Sequence, residues 1–262
     1  GKPLRAALRV NPPFDLKGSG MRMGGGAKPF GMDVDLVPAA LRRMGNSGVD
    51  FRGFHIFAGS QNLRPDAIID AQRQSIALVA ELSEQTAIPP PTANIGGGFG
   101  LPYFPGDAPL DLEGIGRALG DALAARPAIL KDTRFILELG RFLVGDSGVY
   151  LTRVVDRKVS DGQTFLVTDG GLHHQLAASG NFGTVIRRNY PLAAAGKFSQ
   201  AADETVTVVG CLCTPLDLLG SKVDLPRLGA GDLVAIFMAG AYGRSASPAS
   251  FLGHAPAAEL LV

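Results

Sequence analysis

Three consecutive glycines, Gly96, Gly97 and Gly98, are the most informative feature of this sequence. Glycine leaves its backbone N–H uncovered and adopts positive φ readily, so successive amides can converge on one anion such as a phosphate. A turn of this kind needs no side chain to hold the phosphate, which makes the run a candidate cofactor anchor. A plain tight turn explains the same residues equally well, so the run alone does not decide between the two.

Other residues suited to phosphate and ring binding follow apolar segments. His55 and Phe57 share a face if their segment is a strand, and Ser60 follows with a hydroxyl group. Glu138 ends another apolar segment, and Arg141 comes shortly after it. If these segments are parallel strands, their carboxyl ends lie at one edge of a sheet. Together they favour a site for a phosphorylated, ring-bearing ligand over a purely structural role.

The second half of the chain adds further candidates. The adjacent His173 and His174 indicate a metal only if other ligands converge; we favour a loop packed against the site and predict no metal site. Tyr242 lies between small residues, where its hydroxyl could approach a phosphate or belong to the core. Cys211 and Cys213 are expected on a strand as ordinary reduced thiols, and two cysteines are too few for a tetrahedral zinc site.

Apolar periodicity in the first half predicts alternating strands and helices. The predicted strands cover residues 4–10, 51–57, 93–95 and 134–139, the last of them buried, and the predicted helices cover residues 35–44, 67–85 and 110–125. Residues 17–31 are expected to be flexible, and residues 45–46 to end the first helix. This order predicts an α/β fold with a parallel sheet or barrel.

After about residue 145 the pattern becomes β-rich. Strands are predicted at residues 149–158, 163–169, 204–212 and 232–238, and a loop at residues 191–202. The sequence therefore predicts two domains, an α/β domain over residues 1–145 and a mostly β domain over residues 146–262. Its 25 basic and 24 acidic residues give no charge signature for nucleic acid. The lack of a long apolar run or signal-peptide pattern predicts a cytoplasmic protein without a membrane span.

In this order, the motifs resemble the fold-type III pyridoxal-phosphate decarboxylases, which include the diaminopimelate and ornithine decarboxylases. The matching pieces are residues 55–61 (HIFAGSQ), the three glycines, residues 138–141 (ELGR), 213–217 (CTPLD) and 240–242 (GAY). Residues 169–174 (DGGLHH) and 213–217 (CTPLD) resemble those of a branch associated with exopolysaccharide and exosortase gene clusters. The resemblance implies an alanine-racemase-like (β/α)8 barrel, of which only the C-terminal half is present, followed by a mostly β domain.

The resemblance also implies roles for individual residues around pyridoxal 5'-phosphate. Glu138 would pair with the pyridine nitrogen and keep it protonated, so that the ring accepts electrons when CO₂ leaves. Cys213 would donate a proton near the reacting carbon, across the interface of a homodimer. The cofactor phosphate would be held by Ser60, the amides of Gly96, Gly97 and Gly98, Arg141 and Tyr242.

Three positions depart from the family pattern. Phe57 stands where a histidine usually stacks on the ring, with His55 earlier on the same face, and Leu139 replaces a proline. Thr214, which with Asp217 is a candidate substrate contact, stands where an acidic residue pairs with the distal amine of basic substrates. A neutral hydroxyl cannot form that ion pair, so the substrate stays open: a free amino acid or one carried on another molecule.

The lysine that forms a Schiff base with the cofactor in this family has no counterpart here. Lys2, Lys17 and Lys28 lie in the wrong context. We therefore expect the chain to be the C-terminal part of a longer enzyme and to be inactive alone. Two alternatives remain: an inactive decarboxylase homologue that binds and regulates a partner, and an amino-acid racemase on the related barrel.

Overall fold

The computed structural model describes residues 4–181 and 187–262. It consists of two compact units. The first contains the chain up to Leu101 together with Ala108–Phe142, and the second contains Pro102–Asp107 and Leu143–Val262. The short segment Pro102–Asp107 groups with the second unit, although it lies within the first half of the chain.

The first unit is an α/β layer built on four parallel strands in the order β1-β3-β5-β6. A two-stranded antiparallel ribbon of β2 and β4 adds to it. The elements are β1 Arg5–Val10, β2 Met21–Arg22, α1 Val37–Asn46, β3 Asp50–Ile56, β4 Gly59–Ser60, α2 Pro65–Thr86, β5 Thr92–Gly97, α3 Leu112–Ala124, β6 Arg134–Glu138 and α4 Gly140–Val144. Four strands are half of the eight in a (β/α)8 barrel, as predicted.

Helix α2 shows how the sequence builds this layer. Pro65 fits the first turn because its fixed φ suits a helix start and its missing N–H would have no partner there. The helix ends at Thr86, and the next residue, Ala87, adopts a left-handed conformation. One face of α2, including Val79 and Leu82, is fully buried in a cluster with Phe54 of β3 and other strand residues. Burial of this apolar face against the sheet supplies most of the stability of such a helix.

Two details of the first unit differ from the prediction. Helix α1 continues through Gly45 and Asn46, and the chain turns at Gly48, whose φ is +68°. Strand β6 is not buried: Arg134 and Glu138 are exposed and the residues between them are only partly covered. Strand β6 lies at the edge of the described sheet, so one of its sides has no neighbouring strand there.

The second unit is a six-stranded sheet in the order β11-β10-β8-β7-β12-β9. Its pairs are antiparallel except β10 with β8, which is parallel. The strands are β7 Tyr150–Ser160, β8 Gln163–Thr168, β9 Leu192–Ala195, β10 Glu204–Val209, β11 Leu218–Leu225 and β12 Leu233–Ile236. Asp161 and Gly162, with φ of +48° and +72°, join β7 to β8 by the two-residue turn that matches strand twist. The predicted mostly β character is confirmed.

Two predictions for this unit are wrong, and one strand is missing from the prediction. Residues 192–195 form strand β9 inside the predicted loop, paired with β12. Strand β11 was not predicted at all. Cys211 and Cys213 do not lie on a strand, because β10 ends at Val209 and the chain then turns, with the Gly210 amide bonded to the Asp217 carbonyl.

Candidate active site

Three polar side chains meet at the carboxyl ends of the parallel strands. Nε2 of His55, near the end of β3, lies 3.1 Å from Oε2 of Glu138, the last residue of β6. The amide nitrogen of Asn94, on β5 between them, donates to the other carboxylate oxygen at 2.8 Å. The strand register explains why these side chains lie close together, since His55 pairs with Asn94 and Gly97 pairs with Glu138. The Glu138 side chain keeps 48% of its surface exposed, so the carboxylate remains accessible.

Asn94 is the member of this cluster that the sequence analysis missed. Its side-chain oxygen accepts the backbone N–H of Gly96 at 2.9 Å, while its nitrogen donates to Glu138. A carboxylate accepts and an N–H donates, so these two partners fix the orientation of the amide. The available signal was the amide side chain of Asn94, which lies between alanine and isoleucine on a short strand.

The glycine run is shaped by close packing as well as by backbone conformation. Gly96 and Gly98 have φ of +71° and +82°. A Cβ on Gly96 would lie 2.8 Å from the Ile56 carbonyl oxygen and 3.0 Å from the Phe57 ring. A Cβ on Gly97 would lie only 2.0 Å from the carbonyl oxygen of Glu138. Glycine is therefore required here whether or not a phosphate binds, and the Gly96 amide is already bonded to Asn94.

The remaining first-unit candidates lie on short elements that follow β3 and β6 in the chain. Ser60 belongs to β4, pairs with Met21 and is partly buried. Gln61 follows it with a φ of +53°, and its side chain bonds both backbone groups of Leu101. Arg141 lies on the short helix α4 and is partly buried. The strand ends thus carry a carboxylate, an imidazole, an amide, a hydroxyl and a guanidinium group.

In the second unit, Asp217 joins two loops. Its carboxylate accepts the amide of Leu172 at 2.6 Å and the amide of Leu212 at 2.8 Å, and the residue is only 3% exposed. A Cβ on Gly171 or Gly210 would lie within 2.2 Å of this carboxylate. The geometry favours a role in holding the loops together over the predicted contact with substrate.

Cys213, Thr214 and Tyr242 are more accessible. Cys213 is an exposed free thiol, and Thr214 is partly buried with its hydroxyl accepting the amide of Leu216. Tyr242 is 41% exposed and has a φ of +55°, so it is not a core tyrosine within its unit. A non-glycine residue in this region of backbone conformation is unusual and often marks a functional position.

Of the two adjacent histidines, only His174 has hydrogen-bond partners among residues 4–181 and 187–262. Its Nδ1 lies 3.1 Å from the Tyr150 hydroxyl and its Nε2 lies 2.8 Å from the carbonyl oxygen of Ala255. Burial raises the pKa of the Tyr150 hydroxyl, which therefore stays protonated. His173 is 1% exposed and lies beside Cys211 and His254, a residue that the sequence analysis did not consider.

A parallel α/β layer with an accessible carboxylate at its strand ends, next in the chain to a mostly antiparallel sheet, defines a class of enzyme fold, the alanine-racemase-like fold. Diaminopimelate decarboxylase from M. jannaschii, solved in co-complex with L-lysine, shares it with a TM-score of 0.79 and 25% identity over 96% of this chain and 57% of that one. The family model described as "Pyridoxal-dependent decarboxylase, C-terminal sheet domain" matches residues 56–240. The chain belongs to this family of pyridoxal-dependent decarboxylases.

Two curated decarboxylases are similar to this chain over almost its whole length. The L-glutamyl-[BtrI acyl-carrier protein] decarboxylase of Niallia circulans is 40% identical over 99% of this chain and 62% of its own length. The diaminopimelate decarboxylase of Thermoplasma acidophilum is 31% identical over 94% of this chain and 57% of its own length. The chain thus spans about three-fifths of the relatives it matches. In the part that the structure describes, every helix is too short or too polar to cross a membrane.

Proposed function

We propose that the full-length gene product carrying this chain decarboxylates an amino acid, or a derivative of one, with pyridoxal 5'-phosphate as cofactor. The observation that supports this most directly is the Glu138 carboxylate, held between His55 and Asn94 at the strand ends. Family membership supplies the reaction class, and the geometry supplies a group able to bind the cofactor ring.

The residues present fit the cofactor. Among the residues that the structure describes, each carboxylate oxygen of Glu138 has one hydrogen-bond partner, so it can accept a second hydrogen bond, and the side chain is half exposed. A protonated ring nitrogen is a suitable second donor, because a charged pair strengthens the bond. When bound, pyridoxal phosphate supplies a protonated ring that accepts the electron pair left by loss of CO₂.

The neighbouring residues would hold and orient this cofactor. His55 and Asn94 keep the Glu138 carboxylate in one orientation, which makes them positioning residues. Phe57, whose ring lies against Gly96, offers an apolar face to the ring. The phosphate would be held by the Ser60 hydroxyl, the amides of Gly97 and Gly98, and the Arg141 guanidinium. The Gly96 amide would join them only by leaving Asn94.

The second unit supplies the residues proposed for substrate chemistry. Cys213 is the proposed proton donor, and its exposure leaves the thiol accessible. Tyr242 is the proposed further phosphate contact. We propose a homodimer in which Cys213 reaches the site of the partner subunit. These roles rest on the resemblance of motifs.

For the substrate, we propose an acidic or neutral amino acid carried on a larger molecule. The 40% identical relative acts on an L-glutamyl group attached to an acyl-carrier protein. Thr214 offers no negative charge to a distal amine, which disfavours lysine-like substrates. Thr214→Asp should raise the kcat/KM ratio for lysine over a glutamyl thioester by about tenfold or more. The exposed Ser160→Asp is the matched charge control, and an unchanged ratio in Thr214→Asp would count against this role.

The decisive test replaces Glu138 in the full-length gene product. Glu138→Gln should lower kcat for CO₂ release by about a hundredfold or more, because the ring nitrogen loses its ionic partner. Glu113→Gln, which removes an exposed carboxylate of helix α3, should leave the rate unchanged. Full activity of Glu138→Gln would contradict the proposal. Cofactor binding by wild type without CO₂ release from any amino acid or carrier-bound substrate would indicate an inactive homologue.

A further inference from the structure

His173 is a buried imidazole without a polar partner. It is 1% exposed, and neither ring nitrogen has a hydrogen bond within residues 4–181 and 187–262. Buried polar atoms are nearly always satisfied, and an unsatisfied one costs about 1–3 kcal/mol of stability. Such a group indicates a missing partner.

Two other metal-ligating side chains lie beside this imidazole, from distant parts of the same unit. His173 follows β8, Cys211 follows β10, and His254 lies near the end of the chain. One ligand atom from each residue lies within 4.8 Å of the other two. The Cys211 Sγ lies 3.8 Å from Nδ1 of His254. The sequence analysis expected no metal here because it found no ligands beyond the histidine pair and the two cysteines.

The backbone next to each of the three residues is held by a hydrogen bond. The Asp217 carboxylate binds the amides of Leu172 and Leu212, the neighbours of His173 and Cys211. The carbonyl of Ala255, which follows His254, bonds to the His174 ring. These bonds fix the three segments relative to one another before any ligand binds. Binding a ligand would therefore cost little conformational entropy.

The spacing suits a small tetrahedral ion. Three atoms no more than 4.8 Å apart have a common point within about 2.8 Å of each, while zinc binds nitrogen at about 2.0–2.1 Å and sulfur at about 2.3 Å. Side-chain rotations that move each atom by less than about 1 Å would close the site. Two imidazoles and a thiolate favour zinc over magnesium or calcium, which prefer oxygen ligands.

We propose that His173, Cys211 and His254 bind one Zn²⁺ ion, with a fourth position left for water or another ligand. The Cys211 thiol loses its proton to solvent as the sulfur–zinc bond forms, and both imidazoles bind in their neutral form. The ion joins the loop after β8, the loop after β10 and the C-terminal segment. This inference does not rest on the proposed decarboxylase function.

The test is a Co²⁺ titration of the untagged chain after removal of metal by a chelator. Binding should give one equivalent of Co²⁺ per chain, with a thiolate-to-cobalt charge-transfer band and the visible bands of a four-coordinate ion. Cys211→Ser should abolish the charge-transfer band, whereas Cys213→Ser should keep it. Zn²⁺ should displace the Co²⁺ and bleach the spectrum.

A second series addresses the histidines and folding. His173→Ala and His254→Ala should each weaken Zn²⁺ binding at least tenfold in equilibrium dialysis, while His55→Ala in the first unit should not. Far-ultraviolet circular dichroism checks that each variant is folded. Failure of the wild-type chain to bind stoichiometric Co²⁺ and Zn²⁺, or an unchanged charge-transfer band in folded Cys211→Ser, would overturn the proposal.

Discussion

At the scale of residues, Asn94 links the glycine run to the carboxylate at the strand ends. One side-chain amide accepts the Gly96 N–H and donates to Glu138, so it fixes a backbone turn and a functional side chain together. Movement of the turn would therefore change the orientation of the carboxylate. The two functions of Asn94 can be separated by substitution.

Asn94→Asp keeps an acceptor for the Gly96 amide but places a second carboxylate beside Glu138. Like charges at this distance raise the pKa of one carboxyl group, so Glu138 would bind a proton more readily. We expect kcat for CO₂ release to fall about tenfold or more in the full-length gene product, with the pH optimum moved upward. The free energy of unfolding should change by less than about 1 kcal/mol.

Asn94→Ala is the matched variant, because it removes both bonds. It should lose activity and also unfold more easily, by about 1–3 kcal/mol, since the Gly96 amide loses its acceptor. Wild-type activity and pH profile in Asn94→Asp would show that Asn94 only supports the turn.

Two of the three residues at the strand ends, His55 and Glu138, could be identified from the sequence, and Asn94 could not. His55 and Glu138 could be predicted because strand ends in a parallel sheet meet at one edge. Asn94 could not be placed without the register that pairs it with His55. The proximity of His173 to His254 could not be predicted either, because no local sequence pattern connects residues so far apart in the chain.

At the scale of elements, the ion pair between Arg157 of β7 and Glu204 of β10 links two strands that lie on either side of β8. Nη2 of Arg157 lies 2.5 Å from Oε2 of Glu204, and the side chains are only 21% and 16% exposed. The hydrogen bond from Arg157 lowers the pKa of Glu204 below its ordinary value. The pair therefore stabilises the sheet only while the carboxylate is ionised.

This pair predicts a pH-dependent stability. Because the pKa of Glu204 is lower in the folded state, its stabilising contribution is present above the ordinary pKa of about 4.5 and is lost as the pH falls through the folded-state value. Glu204→Gln should lower the free energy of unfolding by about 1–2 kcal/mol at pH 7, measured in urea. The difference from wild type should shrink towards pH 3.

Glu113→Gln is the control, because Glu113 forms an exposed pair with Arg117 within helix α3. Its effect should stay below about 0.5 kcal/mol at every pH. A Glu204→Gln difference that is constant from pH 7 to pH 3 would mean that packing, not charge, explains the effect.

Long, strongly patterned elements were predicted well, and weak or interrupted ones were not. Helix α2 and the alternation in β7 and β8 follow directly from their apolar periodicity. Strand β9 consists of one leucine and three alanines, which carry little β preference, so only its pairing with β12 defines it. Strand β11 contains a glycine, a serine and a lysine in its centre, and these residue types are more typical of turns than of strands.

At the scale of the whole molecule, the proposed homodimer has a direct test by subunit mixing. Glu138→Gln and Cys213→Ala should each be inactive as pure full-length proteins. If each site combines Glu138 of one protomer with Cys213 of its partner, a mixed dimer has one intact site. Dimers that exchange at random should therefore recover about a quarter of wild-type CO₂ release.

The control mixes Glu138→Gln with His55→Ala. Both residues would be contributed to a site by the same protomer. That mixture should have no more activity than the pure variants, because every site carries one of the two substitutions. Equal recovery in both mixtures, or none in either, would argue against a site shared between protomers.

The parallel pairing of β8 with β10 has a consequence for the order in which the second unit folds. Strands β7 and β8 are joined by the two-residue turn at Asp161 and Gly162, so their contact closes a very short loop. Parallel strands cannot be joined this way, and pairing β10 with β8 must close the intervening residues 169–203. Longer loops lose more chain entropy on closure, and non-local pairings form more slowly. We therefore expect the β7–β8 hairpin to form early in folding and β10 to pair with β8 later.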